Sequence, residues 1–222
     1  WKACEAQVGD DFHINPEEIE AKYYGILTKI FNVARFASQF DVPDDLERPS
    51  ANLAPEDRWI LSEFDHVMAR VEDAWARIDI YSAAQAIKGF GTGIFPSHWL
   101  EMTKSRLYEG DEGATWTLHR VVRDLLCAFT PICPFFTHYL SSTLYGKSSV
   151  DVRSFPRLPS NAIGKEAESM RALTPVISEF NSMVWKLKKD SGLSLKSPVS
   201  DVSIPPELSI MENTLVQMHS IE

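Results

Sequence analysis

No stretch limits the fold of this chain as strongly as Asn15–Phe40, NPEEIEAKYYGILTKIFNVARFASQF. Asn15 can cap a helix through its side-chain oxygen, Pro16 suits the first helical position where an amide would be unpaired, and Glu18 stands where a capping box wants it. Ile19, Tyr23, Ile26, Leu27, Ile30, Ala34 and Ala37 then recur at steps of three and four, an apolar stripe along roughly 37 Å of helix. A stripe of that length has to be covered, which calls for other helices. A second edge carries Lys22, Lys29, Asn32, Arg35 and Phe36, with Lys22, Lys29 and Phe36 seven residues apart. Two readings of that edge stand. Cations, an amide and an aromatic suit an RNA loop; equally, long cations on a solvated face cover apolar surface.

The rest of the chain supplies the partners. After a linker with three prolines, DVPDDLERPSANLAP, a helix opens at Pro55, with Ile60, Phe64, Val67, Met68, Val71, Trp75 and Ile78 at helical spacing and acid and base alternating opposite them. Asp79 and Ser82 offer caps to YSAAQAIKGF, and Gly91, Gly93 and Pro96 should break the helix that follows. Helix resumes at Ser97 and stops at Gly110, runs again from Thr115 to Thr130, and once more between Pro134 and Gly146. Five long helices on short connections predict an antiparallel helical bundle. Trp1–Gly9 reads as the tail of a helix. Beyond Gly146, VDVRSFPRLP predicts an extended strap and residues 165–190 an amphipathic helix ended by Gly192. A strand or two with Val199, Val202 and Ile204 and a last short helix follow. The expected division is a bundle with strap over residues 1–159 and a small α+β region over 160–222, read as truncated.

At 222 residues the chain can bury a sizeable core, and 44% hydrophobic with 24% charged residues is ordinary for a soluble globular protein. No run is long enough for a transmembrane span, and WKACEAQVGDDF lacks the regions of a signal peptide. The chain starts without Met and in mid-pattern, as a piece of something longer would. Cys4, Cys127 and Cys133 are too few and too scattered for a disulfide framework or zinc site, which makes a reducing cytoplasm the natural setting. A net charge of −9 argues against coating nucleic acid through bulk electrostatics, while leaving room for a local basic strip. The search for catalytic chemistry is negative: the histidines form no metal pair, GFGTGIF runs into proline rather than a phosphate-binding helix, and no nucleophile elbow is present. Cys127, among Leu125, Leu126 and Phe129, reads as an inert core thiol.

A resemblance joins these pieces. WKACEAQVGDDFHIN followed by KIFNVARF resembles the segment after the catalytic signature loop in valyl-tRNA synthetases, especially the archaeal type. DRWILSEF, DIYSAAQAIKGF, HWLEMTKSRLYEG and TPICPFFTHYLSSTLYG resemble, in the same order, the later helices of the class Ia anticodon-binding bundle, and FPRLP resembles the strap that closes it. KIFNVARF is closer to the valyl than to the isoleucyl helix. Gly91, Gly93 and Pro96 depart from the family, which has a continuous aromatic-rich helix there. MTKS at Met102–Ser105 looks like the signature loop itself, yet Glu101 precedes it in place of lysine and it lies inside an amphipathic helix, so it is not a catalytic motif.

The resemblance implies a module that holds the anticodon stem-loop of tRNA(Val). Aminoacylation, with ATP and Mg²⁺, would fall to a catalytic domain of the same polypeptide; this chain itself would hold no catalytic residue, metal or cofactor. By position in the family pattern, Phe40 would stack on an anticodon base, Leu107 and Tyr108 would flank the loop, and Lys29, Arg35, Lys104 and Arg106 would take phosphates or base edges, with Asn32 and Phe36 on the same edge. Against each stands a structural role: Leu107 in the core, Phe40 capping the stripe, Lys104 paired with Glu101 or Tyr108, and Trp59, Trp75, Trp99 and Trp116 as core or helix-interface residues. The alternatives in function are the same module of an isoleucyl-tRNA synthetase, or a helical scaffold that binds protein.

Overall fold

Asn15 opens the first helix as its side chain allows, accepting a hydrogen bond from the Glu17 amide at 3.0 Å with Pro16 in the first turn. The computed structural model describes residues 15–146 and 154–222, together with Cys4, Ala6, Gly9, Asp11 and His13. The helix tail expected over Trp1–Gly9, the start of the strap, and the side chains of Glu18 and Lys22 lie outside the described residues. From α1 (Pro16–Glu18) the chain passes through a π-helical turn, Ile19–Tyr23, into α2 (Tyr24–Ala37). The wider turn shifts the apolar stripe. Ile19 is left 39% exposed, while Tyr23, Ile26, Ile30, Val33, Ala34 and Ala37 are buried.

The rod at the centre is α3 (Pro55–Ala76). Trp59, Ile60, Leu61, Phe64 and Val71 are all fully buried on it, because α4 (Ile80–Gly89), α6 (Glu112–Phe129), α8 (Ser160–Ile163) and α9 (Ala167–Ala172) all pack against it. Its end is a tight reversal: the Asp79 amide returns to the Ala74 carbonyl at 2.8 Å with Ile78 at φ 57°. The Asp79 side chain then accepts from the Ser82 amide at 3.0 Å and starts α4.

The break expected at Gly91, Gly93 and Pro96 does not occur. The chain continues helically through a π segment, Phe90–Trp99, into α5 (Leu100–Tyr108). In that register the Leu100 amide reaches the Phe95 carbonyl, five residues back, so a proline without an amide disturbs a ladder already displaced from α spacing. Gly91 allows the close fit: a Cβ there would stand 3.1 Å from both Ile30 Cδ1 and Leu125 Cδ2. The altered pitch stacks Phe90, Phe95 and Trp99 with centroids 5.8 and 5.2 Å apart, and Phe64 meets Phe90 at 5.2 Å.

Asp111 caps α6 by accepting from the Ala114 amide at 2.8 Å, and α7 (Pro134–Tyr145) packs back against α6. The helix expected over 165–190 is broken at Leu173, where Pro175 begins α10 (Thr174–Asp190). The chain closes with a 3₁₀ segment, Pro206–Met211, and α11 (Glu212–His219). Among the described residues the strands expected around Val199–Ile204 reduce to one parallel bridge, Val199 with Ile221. Pro198, Pro205 and Pro206 carry no amide to extend a ladder, and Val202 and Ile204 pack on the core instead. The small α+β region is therefore helical, with Ile177, Phe180, Val184, Leu208, Met211 and Leu215 in the same apolar cluster as α3 and α6. No helix among the described residues is long and apolar enough to cross a membrane.

Candidate nucleic-acid interface

The polar edge of α2 faces the π segment and α5 across a cleft of about 390 Å³, lined by Lys29, Asn32, Phe36, Thr92, Pro96 and Lys104 among others. Lys29 Nζ donates to the Thr92 carbonyl at 3.3 Å. Lys104 Nζ pairs with Glu101 at 2.5 Å, but the two side chains are 44% and 43% exposed, and an ion pair so open to water contributes little. Both ammonium groups are free to exchange these partners for a phosphate.

At the end of this cleft three aromatic rings meet. Phe36 lies 5.2 Å from Phe40 edge-on, and Tyr108, from the last residue of α5, lies 6.3 Å from Phe36 and 5.5 Å from Phe40. Tyr108 is 66% exposed, while Phe36 and Phe40 are half-buried against the core, so the cluster opens to solvent through Tyr108. Beyond it opens a second cleft of about 640 Å³ between Phe40, the loop residues Asp41, Val42, Pro43, Asp44 and Arg48, and the helix residues Leu107 and Trp116. The Phe40 backbone is held from beneath. Buried His119 meets the Phe40 carbonyl through Nε2 at 3.1 Å, which requires the proton on that nitrogen, and its Nδ1 lies 3.3 Å from the Tyr145 hydroxyl. Burial lowers the pKa of His119, outweighing the Phe40 carbonyl and Asp41, so the neutral ring is favoured.

Of the residues singled out in the sequence, Lys29, Asn32, Phe36, Phe40, Lys104, Leu107 and Tyr108 line this connected surface. Leu107 does so from the core, only 2% exposed. Arg35 does not join them: it lines a separate groove with Phe31, Tyr139 and Leu144, between α2 and α7. Arg106 is also elsewhere engaged. Its guanidinium meets Glu56 at 2.7 Å, Asp57 at 2.8 Å and Asp111 at 2.9 Å, with 16% of the side chain exposed. Trp99 Nε1 donates to the same Asp57 at 3.2 Å. Burial raises the Asp57 carboxyl to about 6 despite Arg106, and the three carboxylates raise the pKa of Arg106 against its own burial. Arg106 thus ties α3, α5 and the start of α6 together.

Reasoning from the sequence gave no site role to Thr92, Pro96, Asp41 or Arg48, nor to Trp116 and His119. The first four sit where a break and a linker were expected. Trp116 carried a signal: its buried indole N–H needs an acceptor, and it finds the Asp45 carbonyl at 3.2 Å. Among the described residues no group of His, Cys, Asp and Glu could hold a metal ion.

Comparison with known proteins adds an independent observation. A family model described as the anticodon-binding domain of tRNA ligase matches residues 57–204. The valine–tRNA ligase of Nanoarchaeum equitans is 28% identical over all of this chain, which covers 28% of that protein. That of Pyrobaculum aerophilum is 31% identical over all of this chain and 28% of its own length. That of Sulfurisphaera tokodaii is 33% identical over 69% of this chain and 19% of its own length. The chain thus spans under a third of the length of these curated relatives.

Proposed function

The chain belongs to the family of anticodon-binding domains of tRNA ligases, and from that premise we propose that it is the anticodon stem-loop binding module of a valine–tRNA ligase. The observation that carries the reading is the Phe36, Phe40 and Tyr108 surface set between two clefts, with Lys29 and Lys104 on its border. Sequence-specific recognition of RNA needs unstacked bases laid on aromatic faces and their edges hydrogen-bonded. Cations beside those faces neutralise the adjoining phosphates. Phe40 and Tyr108 supply stacking faces, Asn32 a donor and acceptor, and the two lysines the countercharge.

In this reading residues 1–159 hold the RNA and residues 160–222 buttress α3. A catalytic domain of the same polypeptide, with ATP and Mg²⁺, forms the valyl ester on tRNA in the cytoplasm. The likeness to valine–tRNA ligases across the whole chain favours valine over isoleucine. Nuclease footprinting of valine and isoleucine tRNA transcripts tests the assignment. Protection of the valine anticodon loop, and less of the isoleucine one, is expected; protection of neither would remove it.

A further inference from the structure

The loop that walls the second cleft has no regular structure of its own between Asp41 and Pro49, and it is held from one face of α6. Trp116, His119, Arg120 and Arg123 fall at helical steps of three, one and three, so their side chains point the same way. Trp116 Nε1 donates to the Asp45 carbonyl at 3.2 Å and His119 Nε2 to the Phe40 carbonyl at 3.1 Å. Arg120 donates to the Leu46 carbonyl and to Glu47, each at 2.8 Å, and Arg123 meets the other Glu47 oxygen at 2.8 Å.

Among the described residues the charges on this face are unequal without the loop. Arg120 and Arg123 are 3% and 9% exposed, and the equally buried carboxylate beside them is Asp124, 7% exposed. Two buried guanidiniums and one buried carboxylate leave a positive charge that burial makes costly. Glu47 balances it from a side chain 69% exposed. Glu47 does not line the cleft, whereas Asp44, three residues before it, and Arg48, the next residue, do. Asp45 carries the constraint along the loop, accepting from the Glu47 and Arg48 amides at 2.8 and 3.1 Å.

We propose that Glu47 is a positioning residue for RNA: by bridging Arg120 and Arg123 it latches the 41–48 loop onto α6, fixing the wall of the cleft and the presentation of Phe40 before RNA arrives. This rests on the anticodon-loop reading above. A loop ordered in advance spares the RNA the cost of ordering it. The direction of the effect separates this role from plain electrostatics, because removing an acidic charge from a surface that binds a polyanion should by itself strengthen binding.

The test is titration of a valine anticodon stem-loop hairpin into the complete polypeptide as wild type, Glu47→Gln, Glu47→Asp and Phe40→Ala, with hydrogen exchange followed over residues 41–48. Glu47→Gln should bind about tenfold more weakly, about 1.4 kcal/mol, and its loop amides should exchange faster. Glu47→Asp should recover part of the affinity. Should Glu47→Gln fail to fold, Arg123→Lys keeps the buried charge, cannot serve Glu47 and Asp124 together, and should weaken binding in the same direction. Unchanged or tighter binding by Glu47→Gln while Phe40→Ala still weakens it overturns the latch and leaves the module reading intact. If Phe40→Ala also binds normally, both fall.

Discussion

Replacing Arg106 by Ala would leave Glu56 and Asp57, 2% and 0% exposed, without the cation that now meets both. Uncompensated buried charge of this kind costs about 3–5 kcal/mol, so urea denaturation of Arg106→Ala should show a loss of that size. A phosphate ligand on the surface would show almost none. The contrast exposes what a sequence can and cannot say about a single side chain. Arg106 and Asp57 are 49 positions apart, and nothing local to LEMTKSRLY tells a buried hub from a surface cation. Phe36 and Lys29 were legible because they share an edge of one helix, where spacing alone fixes the relation. Tyr108 was placed beside Phe40 only through likeness to a family, since Phe40 lies in the turn after α2 and Tyr108 at the end of α5.

At the level of elements, the starts of helices were readable and the irregularities were not. Asn15 and Asp79 cap through their own side chains onto amides two and three residues on, a signal contained in a few residues. The π-helical run Phe90–Trp99 is set by contacts instead: Gly91 against Ile30 and Leu125, and the stack of Phe90, Phe95 and Trp99. Scoring glycine and proline as α breakers predicts an interruption there and misses a continuous helix of different pitch. The turn after α3 offers a direct check on backbone energetics. Ile78 occupies the left-handed position usually taken by glycine in such a reversal, at φ 57° and 76% exposed. A β-branched residue is strained in that region by roughly 1–2 kcal/mol. Ile78→Gly should therefore raise the unfolding free energy by about 1 kcal/mol, once the greater freedom of glycine in the unfolded chain is offset. A loss of stability in thermal or urea melts would contradict this account of the turn.

For the molecule as a whole, the C-terminal helices are joined to the bundle by a buried polar chain that prefers neutral histidine. His219 Nε2 donates to Asn181 Oδ1 at 2.8 Å, and Asn181 Nδ2 donates to His98 Nδ1 at 2.9 Å. Buried Lys188 donates to the His219 carbonyl at 2.6 Å. Burial, reinforced by Lys188, lowers the pKa of His219 to about 4, against about 6.5 in an unfolded chain. The unfolded state therefore binds the proton first as pH falls, so the stability this group contributes is complete above about 6.5 and lost as pH falls through about 4. Between pH 7 and pH 5 that amounts to a loss on the order of 2 kcal/mol. Asp57, raised to about 6 by burial, acts with the opposite sign, and it is common to wild type and a His219→Gln variant. The difference in urea-denaturation stability between the two should consequently shrink at pH 5.

Where α2, the turn after it and α5 meet, the half-buried rings of Phe36 and Phe40 join exposed Tyr108. Equilibrium binding of a valine anticodon stem-loop, set beside a hairpin of the same stem with a scrambled loop, addresses that cluster most directly when wild type is compared with Phe40→Ala and Tyr108→Ala. Loss of a stacking face is worth about 1–3 kcal/mol per base, so each variant should bind the valine loop roughly 5- to 150-fold more weakly and the scrambled loop as wild type does. Equal affinity of wild type and both variants for the valine loop would contradict the account.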